Sequence, residues 1–257
     1  MTVRFDGLTI DWLGYACARI ESADGTVVYV DPGRYGTLIG EWESRYGGVP
    51  HPHGDPYDER DGDLVLVTHD HHYQSDGVRR VAAEDATVLV YEEVDAARVV
   101  ENGRDVEPVE ELPYDVQRVA YGDELTAAGV DVEVIPAYNE EDGPNVRDDG
   151  TPMHPYGFGC AFRYVIDGHP IFWTGDSDAV EEFDDLDVSI LLPTIARTIT
   201  MNRHDAAELA ARLDPDLVVP IHYNTFEGLR ADSAAFAADV AGRGVPVALT
   251  EEWPDWL

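Results

Sequence analysis

Apolar and polar positions alternate along residues 1–11, and the alternation predicts strand from the start of the chain. Leu8–Ile20 and Thr26–Val30 read as two strands joined at Ala23-Asp24-Gly25, a turn signal. Residues 33–61 lose the pattern; rich in Gly, Pro, Tyr and His, they predict an irregular loop that could serve as a lid. A short strand that reads as buried, Leu64–Thr68, follows. Residues 76–84 suit a helix, Thr87–Tyr91 a strand and 93–101 a short helix.

The second half mixes the two periods. Val116–Ala120, Glu124–Ala127 and Val130–Pro136 predict strands, and 139–152 an acidic loop. Gly159–Ile166 and Pro170–Thr174 predict a hairpin about Asp167-Gly168. Ser189–Leu192 and Leu217–Ile221 read as strands, 203–213 as a helix capped by Asn202, 232–242 as a helix and 246–249 as a last strand. The pattern is that of an α/β (α+β) chain, two sheets packed together with helices outside. At 257 residues, one domain spanning 1–257 is the expectation.

Charge narrows the setting. There are 52 Asp and Glu against 17 basic residues, a formal net charge of −35, and every basic residue is Arg. Such a charge repels itself at low salt and is screened at about 1 M, where the Debye length is roughly 3 Å. A halophile's high-salt cytosol is therefore the expected location. No Arg cluster offers a footprint for nucleic acid, and the charge opposes anionic membranes. No apolar run approaches a membrane span, the N-terminus lacks a signal peptide's apolar core, and Cys17 and Cys160 are too few for a disulfide framework. The partner expected is a small-molecule substrate, with homo-oligomerisation left open.

Three apolar strands run straight into metal-ligand residue types: Leu64–Thr68 into His69 and His71, Ile171–Gly175 into Asp176, and Leu217–Ile221 into His222. Strand ends give rigid support at an accessible rim, and imidazole with carboxylate suits Zn²⁺, with Mn²⁺ or Fe²⁺ as alternatives. Taken singly, Asp176 would be a turn residue and His222 a satisfied strand-end histidine; three His within four residues after a buried strand change that balance. His51 and His53 read as loop surface, His169 and His204 as solvated, and the acidic runs at 140–142 and 181–187 as hydrated surface.

The ordered set Thr-His-x-His, Gly-Asp-x-Asp and Pro-x-His-Tyr, with Asp11-Trp12-Leu13-Gly14, Val30-Asp31-Pro32, Ile135-Pro136-Ala137-Tyr138-Asn139, His154-Pro155-Tyr156-Gly157, Ile190–Pro193 and Thr200-Met201, resembles the metallo-β-lactamase superfamily, in particular its metal-dependent hydrolase branch of the ascorbate-phosphate lactonase type. The resemblance covers nearly the whole chain and implies a four-layer αββα sandwich with the site at one edge of the two sheets. It departs from the family where His-x-His-x-Asp-His reads His69-Asp70-His71-His72-Tyr73-Gln74, where a Gly-His pair reads Gly14-Tyr15, where a third His reads Asn139, and where a Gly-rich stretch reads Ile195-Ala196. His154 is the candidate to replace that third His. The resemblance thus implies one site of His69, His71 and His154 with Asp176, and a second reduced to Asp176 and His222 unless His72 or Asp76 compensates. One ion is expected rather than two.

On this reading Asp176 and His222 are the catalytic candidates. His72, Tyr73, Tyr138 and Asn139 are the candidate substrate contacts. The function implied is metal-assisted hydrolysis of an ester, lactone or phosphoester; the alternatives are a non-catalytic metal- or ligand-binding protein with a degenerate dinuclear site and, third, an iron oxidoreductase.

Overall fold

The structure is a computed structural model that describes residues 2–34, 36–39, 56–196, 198–225 and 227–250. His51, His53 and the middle of the proposed lid lie outside the described residues. Among the described residues, thirteen strands form two mixed sheets. In the first, β1 (Thr2–Phe5), β2 (Leu8–Gly14), β3 (Cys17–Glu21), β4 (Val27–Val30), β5 (Gly62–Val67), β6 (Ala82–Tyr91) and β7 (Asp115–Val119) lie side by side in chain order. The second runs β8 (Glu124–Ala127), β9 (Val130–Ala137), β10 (Gly159–Ile166), β11 (His169–Trp173), β12 (Ile190–Leu192) and β13 (Leu217–Val218), again in order. Helices α1 (Ser75–Val81), α2 (Ala96–Glu101), α3 (Arg203–Leu213) and α4 (Ser233–Gly242) flank them, the expected αββα arrangement.

Each sheet is antiparallel toward one edge and parallel toward the other, and the site forms on the parallel side. β4, β5 and β6 pair in parallel, as do β11, β12 and β13. Strands covered on both faces need no polar alternation, so β4 (VVYV) is buried at every position and β5 (GDLVLV) at all but one. Parallel strands end on the same edge, and the chain therefore delivers Asp31, Thr68, Thr174 and Val219 to one rim. The buried apolar residues of strands and helices form one continuous core that includes Trp12, Tyr29, Phe162 and Trp173.

Several boundaries differ from the pattern. Leu8–Ile20 is not one strand: it folds back at Tyr15-Ala16, with Tyr15 at φ 49°. The turn holds one glycine at positive φ, Gly14 (φ 106°), but its left-handed residue is a tyrosine, so periodicity runs through it unseen. The strand at Thr87–Tyr91 begins earlier, at Ala82, directly from α1. The expected last strand at 246–249 amounts to one parallel bridge, Val218 to Val247. Asn202 does cap α3, its side chain accepting from His204 and Asp205 N–H. No helix among the described residues is long and apolar enough to cross a membrane.

Candidate metal centre

The apolar run of β5 carries the chain to the rim at Thr68. His69 is extended (φ −166°, ψ 176°), and Asp70–His72 then form one tight 3-10 turn. An extended residue followed by a turn fans the imidazoles of His69, His71 and His72 in different directions from four consecutive residues. Asp176 arrives from β11 across Gly175, whose φ is +58° and where a Cβ would stand 2.5 Å from the Cys160 carbonyl oxygen; only glycine fits. His222 follows β13 in the left-handed region itself (φ 59°), a strained conformation of the kind that accumulates at functional sites. His154 comes from the loop between β9 and β10.

Two clusters result, and Asp176 belongs to both. In the first, one ligand atom each from His69, His71, His154 and Asp176 lies within 4.8 Å of the others. In the second, His72, Asp176 and His222 do the same. His69 Nε2, His72 Nε2 and His154 Nε2 each lie 3.7 Å from Asp176 Oδ2, and His222 Nε2 lies 3.2 Å from Oδ1. The nitrogens His71 Nδ1 and His154 Nε2 are 3.1 Å apart, and His72 Nε2 and His222 Nε2 3.2 Å. Two nitrogens bound tetrahedrally to one zinc are separated by about 3.3 Å, so the spacing fits a shared ion. Three side chains that could hold an ion meet in the second cluster: His72, expected among the substrate contacts and left open as a compensating ligand, brings an imidazole there because the turn rotates it away from His71.

Neighbouring hydrogen bonds fix which nitrogen is free. The Asp31 carboxylate accepts from Thr68 N–H (2.8 Å), the Thr68 hydroxyl (2.8 Å), His72 Nδ1 (2.9 Å) and Trp173 Nε1 (2.7 Å). His72 must therefore carry its proton on Nδ1, leaving the Nε2 lone pair facing Asp176. Thr68 has spent its only hydroxyl proton on Asp31, so His69 Nδ1, 2.9 Å away, donates to Thr68 Oγ1 and its Nε2 is free. His154 Nδ1 donates to the Ile199 carbonyl (3.2 Å), which frees Nε2 in the same way. His69 Nε2 and both carboxylate oxygens of Asp176 are buried without a hydrogen-bond partner. Buried polar atoms left unpaired are costly, and a divalent cation is what this donor set of imidazoles and carboxylate would satisfy.

The electrostatics agree. Burial pushes His69, His154 and His222 below the usual imidazole range, and His71 down to about 3 with His154 adding to the effect. Neutral imidazole is the form that binds metal. Burial alone would raise the Asp176 carboxyl, but the surrounding imidazoles, His222 and His72 foremost, hold it well below the ordinary value.

The remaining candidates fall elsewhere. The Tyr73 hydroxyl donates to the Glu107 carbonyl (2.7 Å) and Gln74 Nε2 to the Asp105 carbonyl (3.0 Å), so neither faces the clusters. Asp76 is paired with Arg80 (2.8 Å) and does not compensate at the second site. Asn139 is buried and supports His154: its Oδ1 accepts the His154 N–H, and its Nδ2 donates to the Ile199 carbonyl and Asp178. Tyr138 hydrogen-bonds Glu182 and lies edge-on to the exposed Tyr156. His169 and His204 approach Asp6 and Asp239.

Sequence reasoning missed Asp31, Thr68 and Trp173, which orient the ligands, and two rings against them. Tyr15 meets His222 (4.4 Å between centroids) and His72 (5.1 Å) edge-on, with the Arg34 guanidinium carbon 5.8 Å from its ring centre. Phe158 lies 5.3–5.6 Å from the rings of His69, His71 and His154. Asp31 follows an apolar strand just as Asp176 does, and that signal was available.

Comparison with known proteins places this geometry. The family described as "Beta-lactamase superfamily domain" matches residues 9–222. A UPF0173 metal-dependent hydrolase of Methanopyrus kandleri is 28% identical over 253 residues, covering 93% of this chain and 94% of its own. Another from Pelotomaculum thermopropionicum is 30% identical over 192 residues, 71% of this chain and 76% of its own. Among solved structures, a metallo hydrolase of Ignicoccus hospitalis superposes with a TM-score of 0.64 at 20% identity, covering 95% of each chain. An isothiocyanate hydrolase from Delia radicum gut bacteria gives 0.62 at 14% identity, covering 95% of this chain and 97% of its own. The two solved structures share the fold; the match across residues 9–222 shows that this chain belongs to the β-lactamase superfamily domain family, with the metallo-β-lactamase fold and the UPF0173 metal-dependent hydrolases as its homologues.

Proposed function

We propose that this protein is a metal-dependent hydrolase that opens an ester, lactone or phosphoester bond of a small molecule with a metal-activated water, and that it holds two ions, zinc for preference, in a high-salt cytosol. The observation that carries the reading is Asp176: a buried carboxylate shared by two imidazole clusters, with neither oxygen hydrogen-bonded. The homologues named metal-dependent hydrolases support it.

His69, His71 and His154 would hold one ion and His72 and His222 the other, with Asp176 available to both. Bound there, a divalent ion lowers the pKa of its water to about 7 and polarises a carbonyl or phosphoryl oxygen. The chain's own residues do the rest. Asp31, Thr68 and the Ile199 carbonyl hold protons on the far nitrogens of His72, His69 and His154, fixing each ring's orientation. Asp176 orients the nucleophile and His222 stands where charge develops. Tyr15 and Phe158 wall the two clusters and limit water, which strengthens every charge interaction inside. Tyr138 and Tyr156 form the rim toward the substrate.

The test is turnover in 2 M KCl by metal-reconstituted protein on a panel of lactones, p-nitrophenyl esters and bis-p-nitrophenyl phosphate. Hydrolysis of one class, abolished in Asp176→Ala, is expected. Stoichiometric metal binding with no turnover above that of free metal across the panel would overturn the hydrolase reading in favour of a binding protein.

A further inference from the structure

A three-residue 3-10 turn has little stability of its own. Inside the ligand turn the backbone makes His72 N–H to His69 carbonyl (3.1 Å) and Tyr73 N–H to Asp70 carbonyl (3.3 Å). Those two bonds must hold three imidazoles, from His69, His71 and His72, pointed at two clusters. The turn is instead clasped from outside by the segment around α2. At its start, the Asp70 carboxylate accepts from Asp95 N–H and Arg98 Nε, each at 2.7 Å. Along its length, Arg104 donates to the carbonyls of His71 (2.7 Å), Asp70 (2.6 Å) and Tyr73 (2.5 Å).

Arg104 is unusual for this chain. There are 52 acidic groups to choose from, yet among the described residues no carboxylate lies within ion-pair distance of it, and its hydrogen bonds go to these three carbonyls alone. Burial works against its charge and lowers its pKa, so the position is costly and the carbonyls are the compensation. A planar fork of five donors can serve several converging acceptors at once; an ammonium cannot match that geometry. We infer that Arg104 is a positioning residue for the metal centre: by gathering the Asp70, His71 and Tyr73 carbonyls on one guanidinium it sets the turn that sends His71 to one cluster and His72 to the other. The inference rests on the metal-centre reading and goes beyond it, since Arg104 bonds the backbone of the turn and none of the ligand side chains.

The experiment uses Co²⁺ as probe on the full chain in 2 M KCl, reading its dissociation constant and its visible d–d spectrum, beside the melting temperature of the metal-free protein. Arg104→Met keeps the apolar stem and removes the donors. It is expected to weaken Co²⁺ binding by about 10- to 100-fold and to alter the spectrum, the range seen when groups that orient metal ligands are removed. Arg118→Met is the control, because Arg118 likewise donates to two carbonyls, Glu92 and Val94, remote from the clusters; it should lower the melting temperature and leave the spectrum alone. Arg104→Lys, which retains the charge but not the fork, should fall between, and it decides the matter if the Met variant does not fold. Unchanged affinity and spectrum in the Met variant, or in the Lys variant in that event, overturns the inference while leaving the metal centre standing. No Co²⁺ bound by the unmodified protein overturns both.

Discussion

The indole of Trp173, on β11 of the second sheet, donates a 2.7 Å hydrogen bond to the carboxylate of Asp31, at the end of β4 in the first. The same carboxylate orients His72. One buried group thus ties the two sheets together directly beneath the metal centre, and stability and metal binding meet in it. Asp31→Asn keeps the volume but replaces one acceptor oxygen with a donor. It leaves an N–H of His72, Thr68 or Trp173 without a partner, at a cost of about 1–3 kcal/mol. Metal at the His72 cluster should weaken by about 10- to 100-fold. Trp173→Phe removes the sheet contact while leaving His72 oriented, so it should lower stability and retain the metal. Denaturant melts and equilibrium metal titrations separate the two; equal metal loss in both variants contradicts this division of roles.

Ion stoichiometry tests the second cluster. Two imidazoles and a carboxylate at His72, His222 and Asp176 make three protein ligands, the number expected at a catalytic zinc. Elemental analysis after dialysis in high salt should find about two ions per chain in the unmodified protein and about one in His72→Ala. Tyr73→Phe should keep both and lose about 1 kcal/mol with its bond to the Glu107 carbonyl. The double change Tyr73→Asp with Gln74→His should add no ion, since both side chains face the 105–107 segment. A single tightly held ion in the unmodified chain would restore the mononuclear expectation.

How legible each part was follows from where its signal resides. His69, Asp176 and His222 stand at the ends of apolar strands, a local pattern, and the two sheets were readable from the same runs. His72 stood only as an alternative ligand because a linear comparison of motifs assumes that the chain continues in one direction past His71, whereas it turns. Asp31 carried the strand-end signal but was one of 52 acidic groups. Arg104 carried none, since its meaning arises only when α2 folds back on the turn. The Tyr15 reversal was hidden because its left-handed backbone is held by tertiary packing against His72 and His222 rather than by a turn residue.

Acid should destabilise the metal-free protein in a defined window. An unfolded histidine takes up a proton near pH 6.5, whereas His69, His71, His154 and His222 are held lower in the fold. Below pH 6.5 the unfolded chain then binds more protons than the folded one, and stability falls as pH falls. For His71, held at about 3, the loss at pH 5 is about 2 kcal/mol. The depressed Asp176 carboxyl contributes stability that is lost only below its unfolded value near 3.8, so it does not enter this window. Denaturant midpoints of chelator-treated protein in 2 M KCl should drop between pH 7 and pH 5, and less steeply in His71→Asn. A flat profile over that interval would mean that these imidazoles take up protons in the fold as readily as in the unfolded chain.

Salt should act on the whole molecule. Arginines such as Arg19, with Glu21 and Asp61, Arg98, with Asp70, and Arg203, with Asp239, are already paired, and 17 basic residues cannot match 52 acidic groups, so a large unbalanced negative charge repels itself. That repulsion reaches about 10 Å at 0.1 M salt and about 3 Å at 1 M. The melting temperature should therefore climb steeply between low salt and about 1–2 M KCl and then level off. Screening predicts more than a general salt effect would. Replacing the exposed pair Glu141 and Asp142 with Gln and Asn relieves repulsion only where it is unscreened. The double variant should melt about 1–3 °C higher than the parent at 0.1 M KCl and at the same temperature at 2 M. An equal shift at both salt concentrations would locate the effect in local structure, and a melting temperature independent of KCl would remove the high-salt setting altogether.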